Sequence, residues 1–171
     1  MVHSKRTTRS GFSLLELLVA VTLLVSAVTA VSVLLRVNYA TWREYQTDNL
    51  RHEAAVGVLR HMVRQIRQCE EIVTISSPAD NSGSLSLLMT DGSTIVWDHS
   101  GTDVNYGTTT ANQLLGNNIT GLTFVGYELD GTTTTTVADD VRCVRITVSY
   151  TLPDRATANR TLTANVWVRA F

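Results

Sequence analysis

The sequence is poor in the residues that mark several protein classes. Its 171 residues include only two cysteines and two prolines, and aromatic residues make up 6% of the chain. Two cysteines cannot form a disulfide scaffold or a four-ligand zinc site. The 14 basic and 15 acidic residues give a net charge of -1, so the basic excess that general nucleic-acid binding needs is missing. We therefore expect neither a disulfide-rich domain nor a nucleic-acid partner.

Motifs of catalysis are also missing. The sequence contains no nucleophile elbow, no phosphate-binding loop, no dinucleotide-binding glycine pattern and no zinc-protease motif. Among the histidines, His52 and His61 are nine residues apart, which places them on opposite sides of a helix. We therefore expect no enzyme activity, no metal and no cofactor.

Three aspartates near a threonine-rich loop are candidate calcium ligands. Asp130, Asp139 and Asp140 lack the alternating oxygen spacing of a dedicated calcium loop. We expect them to be solvated turn residues.

The N-terminus contains what the rest of the chain lacks, a long apolar run. It extends from Phe12 to Leu35, and Glu16 is its only charged residue. As a helix the run would measure about 36 Å, which is enough to cross a hydrocarbon core of ~30 Å. A leader without acidic residues precedes it, as is typical of the cytoplasmic side of a membrane. The bases on its two sides are Lys5, Arg6 and Arg9 before it, and Arg36, Arg43 and Arg51 after it.

Three simpler interpretations of this run compete: a plain single-pass anchor, a cleaved secretory signal and a buried core helix. A secretory signal has an apolar region of about 7 to 15 residues before a small-residue cleavage site. Ala30 ends such a site, but apolar residues continue beyond it, and Glu16 would interrupt the apolar region. A core helix that is apolar on all faces needs more cover than so short a chain supplies.

Glu16 is the informative residue of the run. An acidic side chain inside a membrane helix raises the free energy of membrane insertion by on the order of 2 to 3 kcal/mol. Its presence therefore indicates a functional residue. Arg9 lies seven residues earlier and Arg36 twenty residues later, so neither reaches it along the same helix. We therefore expect its cationic partner on another chain.

The segment RSGFSLLE at residues 9–16, with its basic leader and following apolar run, resembles the class III signal of type IV prepilins and type II secretion pseudopilins. The resemblance implies that a prepilin peptidase cleaves after Gly11 and methylates the new N-terminus at Phe12. It also implies that Glu16 pairs with the terminal amine of a neighbouring subunit. Ser13 stands where the family commonly has threonine.

The helix is expected to continue beyond the membrane, from Phe12 to Val73. No proline occurs between Phe12 and Ser77, and the only glycine there is Gly57. A heptad stripe of apolar residues predicts a face packed on a core. The opposite side carries arginines, which we interpret as a solvated face or, alternatively, as contacts with acidic neighbours. The stripe consists of Ala55, Leu59, Met62, Ile66, Cys69 and Val73, and the arginines are Arg60, Arg64 and Arg67.

Beyond Pro78 the apolar pattern changes to the alternation of β-strands. A hairpin is predicted with strands at 85–90 and 93–98 and a two-residue turn at Asp91-Gly92. Further strands are predicted at 119–129, with a possible bulge at Gly126, at 144–152, and at 162–168 after a turn around Pro153. Cys143 has the parity of the polar face, so we expect no disulfide between it and Cys69 on the helix stripe.

The predicted fold class is α+β and pilin-like, with one long N-terminal helix packed on an antiparallel sheet. The expected divisions are a cleaved leader at 1–11, a transmembrane half-helix at 12–35, an amphipathic helix extension at 36–77 and an extracytoplasmic sheet domain at 78–171. Loose similarities in three segments, VGVLRHMVRQIRQCEEI, LLGNNITGLTFVGYELDG and the C-terminal WVR, are to J-type minor pseudopilins and PilW-like minor pilins.

The resemblance implies a minor filament subunit in a type II secretion system or a type IV pilus, placed at or near the tip. Its expected partners are prepilin peptidase, other pilin subunits and membrane lipid, with the protein in the bacterial inner membrane and its C-terminal domain in the periplasm. The alternative is a single-pass anchored periplasmic binding domain that never polymerises.

Overall fold

The computed structural model describes residues 13–152 and 155–168. Helix α1 runs from Leu14 to Ile66 and is followed by antiparallel strands. The predicted α+β class, with a long N-terminal helix packed on antiparallel strands, is confirmed. The strands are β1 (Cys69–Ile75), β2 (Ser84–Met89), β3 (Thr94–Ser100), β4 (Asp103–Thr108), β5 (Gln113–Gly116), β6 (Gly121–Tyr127), β7 (Thr134–Thr135), β8 (Cys143–Leu152) and β9 (Arg155–Trp167).

The chain divides into two compact units between Arg43 and Glu44. In the first unit the apolar side chains of α1 are exposed. The second unit contains the rest of α1 and all of the strands, and it holds a single cluster of buried side chains. Among the described residues, the hydrophobic core therefore lies in the second unit.

The strands form two sheets where the sequence predicted one. The first sheet has the order β1-β2-β3-β4-β5 and the second has the order β7-β6-β8-β9. The β2–β3 hairpin is confirmed, but its loop covers residues 90–93 and is longer than the predicted two-residue turn. Gly92 adopts φ +80° there, a conformation that glycine accepts without steric cost. Strand alternation identifies strands, but it does not show where one sheet ends and the next begins.

Helix α1 ends earlier than the sequence predicted. Its last residue is Ile66, and Cys69–Ile75 pairs with β2 as a strand. The predicted helix to Val73 and the 36–77 extension are therefore wrong at their C-terminal ends. The segment Ile72-Val73-Thr74-Ile75 is β-branched throughout, which favours a strand, and Val73 is 45% exposed.

The core of the second unit lies between the helix and both sheets. Ala55, Met62 and Ile66 are buried, as the heptad stripe predicted, while Leu59 is only partly buried. Val58, which the stripe left out, is almost fully buried. Further fully buried side chains come from both sheets and from the loop between β5 and β6: Leu85, Leu87, Trp97 and Val104 from the first sheet, Leu122, Phe124, Val144, Ile146 and Val148 from the second, and Ile119 from the loop.

The clearest predicted strands are confirmed, with one correction. β8 buries the alternate residues of its apolar face, and it pairs in regular register with β6. The predicted bulge at Gly126 is therefore absent from β6. A Cβ at Gly126 would lie 2.7 Å from the Thr135 carbonyl oxygen and 2.8 Å from Val141, so this glycine permits a close approach of neighbouring chain segments. The turn at Pro153 lies outside the described residues.

The two cysteines are free thiols, as predicted. Cys143 lies on the polar face of β8, as its parity predicted, yet its side chain is only 5% exposed. Its register partners are Tyr127 on β6 and Trp167 on β9, so large rings flank it on the same face of the sheet. Cys69 is buried and its thiol donates a hydrogen bond to the Ile66 carbonyl oxygen. Burial raises the pKa of Cys69 to about 11.

Candidate functional site

The N-terminus of α1 is closed by a reciprocal capping arrangement. The Ser13 hydroxyl oxygen accepts a hydrogen bond from the Leu15 amide at 3.3 Å. The Glu16 carboxylate accepts one from the Ser13 amide at 3.1 Å. This pattern is the capping box, which satisfies amides that an uncapped helix would leave without partners. Glu16 therefore has a role in starting the helix in addition to the charge that it carries.

The apolar part of α1 meets the requirements of a membrane span. Its best 18-residue window has a mean hydropathy of 2.6, and none of that window is buried inside the protein. Its hydroxyl side chains donate hydrogen bonds to carbonyl oxygens three or four residues earlier on the same helix. These donors are Thr22, Ser26, Thr29 and Ser32. Since these hydroxyl donors are satisfied locally, the segment is suited to a medium without water.

Glu16 is the charged exception on this surface. Its side chain is exposed, and it lies beside Ala20 and Leu23 at a shallow depression of about 370 Å³. Alanine one turn after the glutamate leaves room for another helix to approach the carboxylate closely. The geometry therefore leaves the Glu16 carboxylate accessible to a group on an approaching helix.

An aromatic and basic cluster follows the apolar stretch. The rings of Tyr39 and Trp42 are 6.4 Å apart, and the Arg43 guanidinium lies 4.9 Å from the centre of the Tyr39 ring. Tyrosine, tryptophan and arginine are typical of the interface between a bilayer and water. The sequence interpretation missed this cluster, although the spacing YATWR after an apolar run was a signal for it.

The comparison with family models matches residues 6–32 to the prokaryotic N-terminal methylation motif. This chain carries that motif. It covers the leader bases Arg6 and Arg9, the predicted cleavage pair Gly11 and Phe12, and Glu16. No curated protein and no solved structure matches the chain. The methylation motif spans only the leader and the first part of α1.

Of the three predicted site residues, only Glu16 lies among the residues that the structure describes. Gly11 and Phe12 lie outside the described residues, so cleavage and methylation there stay predictions. Glu16 lies within the first turn of α1. Its pairing with a neighbouring subunit is also a prediction.

The histidines have structural contacts in the second unit. His52 Nδ1 lies 2.8 Å from the Tyr150 hydroxyl, and His99 Nε2 lies 3.0 Å from the Ile119 carbonyl oxygen. His61 Nδ1 accepts a hydrogen bond from the Trp97 indole. Within residues 13–152 and 155–168, no group of three or more His, Cys, Asp or Glu side chains is placed to hold a metal ion.

Asp130 binds its own loop. Its two carboxylate oxygens accept hydrogen bonds from the amides and hydroxyls of Thr132 and Thr133. These bonds hold the pKa of Asp130 well below its usual range. Asp139 and Asp140 belong to a short 3-10 turn at Ala138–Asp140. The interpretation of Asp130 as a turn residue therefore has a physical basis, since its oxygens already have donors.

Proposed function

We propose that this chain is a prepilin-like minor subunit of a type II secretion pseudopilus or a type IV pilus. A prepilin peptidase cleaves it between Gly11 and Phe12 and methylates the new N-terminus. The mature chain sits in the bacterial inner membrane with its second unit in the periplasm. The observation that carries this proposal is the methylation motif at residues 6–32, which coincides with the start of a helix able to span a membrane.

The charge on Glu16 supports assembly as the purpose of the anchor. A plain anchor could close the same capping box with an uncharged glutamine, so it gains nothing from a charge that costs about 2 to 3 kcal/mol in a membrane helix. Cleavage after Gly11 creates an α-amino group on Phe12, which is a cation when it is protonated. The amine of one subunit and the carboxylate of another then neutralise each other in a medium of low dielectric constant.

The side-chain contacts of the second unit and its sequence similarities favour a non-catalytic role as a minor filament subunit. Its histidines and Asp130 are engaged by neighbouring groups of the fold. The segments that resemble J-type pseudopilins and PilW-like pilins favour a tip or initiation subunit. We accordingly propose no enzymatic activity, no cofactor and no nucleic-acid partner, and assembly through the N-terminal helix with other pilin subunits and membrane lipid.

A glycine pair tests the processing step. In cells that contain a prepilin peptidase, Gly11→Val should accumulate as the full-length precursor, because a branched side chain obstructs the scissile bond. Gly57→Val is the matched control, since a Cβ at Gly57 meets no atom within 4 Å. Immunoblots should show normal shortening of the control. Normal shortening of Gly11→Val would count against the proposed cleavage site.

A further inference from the structure

A groove of about 590 Å³ lies between the last turns of α1 and the edge strand β9. Leu59, Val63 and Ala164 form its apolar walls. Arg60, Arg64 and Arg67 also line it, so the groove is apolar at its walls and basic overall. Ala164 points to the same side of β9 as the half-buried Leu162, and its small side chain leaves the space open.

The three arginines lack acidic partners in the described part of the chain. Arg60 and Arg64 are one turn apart on α1, and like charges at this spacing destabilise a helix by a few tenths of a kcal/mol. All three side chains are exposed. A chain whose overall charge is close to zero thus concentrates uncompensated positive charge along one groove.

The neighbouring strand has a free edge. β9 is the last strand of the second sheet and pairs with β8 on one side, with no strand on its other side among the described residues. Edge strands usually carry charges or proline that prevent pairing with other chains. From Thr161 to Trp167, β9 has neither. Its outer backbone groups are therefore suited to accept a further strand.

The spacing of the arginines fits such a strand. Arg60 and Arg64 are about 6 Å apart along the helix axis. Alternate side chains of an extended strand are about 6.6 to 6.8 Å apart and point to the same face. In an added strand that runs along α1, glutamates at alternate positions come within reach of successive arginines, and their methylene stems pack on Leu59 and Val63.

We propose that this groove binds an extended, acidic segment of a partner protein, which adds as a strand to the free edge of β9. Its alternate acidic side chains pair with Arg60, Arg64 and Arg67. Its outward side chains continue the threonine-rich face that Thr161 and Thr163 present. The main-chain hydrogen bonds give affinity and the arginines give the preference for acidic sequences. This binding does not depend on cleavage of the leader, so it stands apart from the proposed processing.

The test uses the full chain in detergent micelles and a fluorescent seven-residue peptide, TETETET. We expect saturable binding by fluorescence anisotropy that weakens as salt rises, because charge attraction is screened. TKTKTKT and the block sequence TTTTEEE are control peptides, and both should bind at least about tenfold more weakly. Equal binding of TTTTEEE would contradict strand addition, because that peptide has the same charge without the alternation.

Two further arms separate charge from backbone pairing. Arg60→Gln/Arg64→Gln/Arg67→Gln should lose about tenfold or more in affinity, whereas Arg36→Gln should not change it. Arg36 is the matched control because it is also an exposed arginine of α1 and does not line the groove. The triple variant relieves like-charge repulsion on the helix, so it should fold, and circular dichroism verifies this.

The peptide backbone provides the last arm. N-methylation of TETETET at one set of alternate residues should abolish binding, and methylation at the other set should preserve it, because only one edge of the added strand faces β9. Equal effects of the two methylation patterns would overturn the proposal. Binding of the arginines to anionic lipid vesicles without binding to TETETET would also overturn it and would assign the groove to a membrane surface.

Discussion

Glu16 combines an observed capping role with a proposed role in subunit pairing. Its carboxylate closes the capping box with Ser13, and it is the one charge in the apolar stretch of α1. The capping role needs a hydrogen-bond acceptor at the right distance, and glutamine supplies one as well as glutamate does. The pairing role needs a negative charge. Substitutions at Glu16 can therefore separate the two roles.

We expect Glu16→Gln and Glu16→Leu to reduce incorporation into filaments to a similar extent, by about tenfold or more, because both remove the charge. Both variants should still be cleaved after Gly11 and inserted into the membrane. Co-purification and crosslinking with the other pilin subunits of the host measure the incorporation.

Ser13→Ala is the matched control, since it removes the capping hydroxyl and keeps the Glu16 charge. It should assemble close to the wild-type level. If Glu16→Gln assembled normally while Glu16→Leu and Ser13→Ala both failed, the capping box would be the essential feature and the charge-pairing role would be wrong.

The sequence could indicate Glu16, because a carboxylate in an apolar run is conspicuous without any structure. It could not indicate the burial of Cys143. Strand parity placed this side chain on the polar face correctly. Parity contains no information about the large neighbours Tyr127 and Trp167, which cover it. Burial on a sheet surface depends on the adjacent strands, and these are distant in sequence.

At the scale of elements, the end of α1 shows why spacing alone misled. Cys69 and Val73 continue the spacing of the helical stripe, yet Cys69–Ile75 is a strand paired with β2. Apolar residues three or four apart also occur by chance in a short strand, and β1 has the burial of an irregular strand with register shifts. Pairing with β2 decided the structure, and a single-sequence pattern does not contain that information.

His61 connects helix α1 to the first sheet through a hydrogen bond and ring contacts. His61 on α1 lies in edge-to-face contact with Trp97 and Tyr106 of the first sheet. The indole of Trp97 donates to His61 Nδ1 at 3.3 Å, so this nitrogen must be unprotonated. Burial, and to a smaller extent the charge of Arg64, lower the pKa of His61.

This contact predicts a pH dependence of stability. The pKa of His61 is lower in the folded chain than the value near 6.5 expected in the unfolded chain, so the unfolded state binds more protons as the pH falls below about 6.5. The free energy of unfolding should therefore decrease from pH 7.5 to pH 5.5. Thermal midpoints measured across this range for the full chain in micelles show the effect.

His61→Gln provides the comparison, because glutamine retains an acceptor for Trp97 and does not titrate. The variant should lose a smaller part of its stability on acidification than the wild-type chain. An identical decrease in both proteins would show that other groups cause the dependence.

At the scale of the whole molecule, the division between Arg43 and Glu44 separates what the sequence predicted well from what it did not. The first unit was predictable because length, apolarity and a short local motif define a processed membrane helix. The second unit was predictable as strands but not as two sheets, because sheet membership depends on long-range pairing. The groove beside β9 likewise depends on the packing of α1 against a strand about a hundred residues later in the chain.

The central claim is that the chain is processed as a prepilin. Intact-mass and N-terminal analysis of the chain extracted from bacterial membranes that contain prepilin peptidase tests it most directly. We expect a mature chain that lacks residues 1–11, begins at Phe12 and carries one added methyl group on its α-amino nitrogen. A chain that still begins at Met1, or one that begins at Val31 after cleavage by signal peptidase, would contradict it.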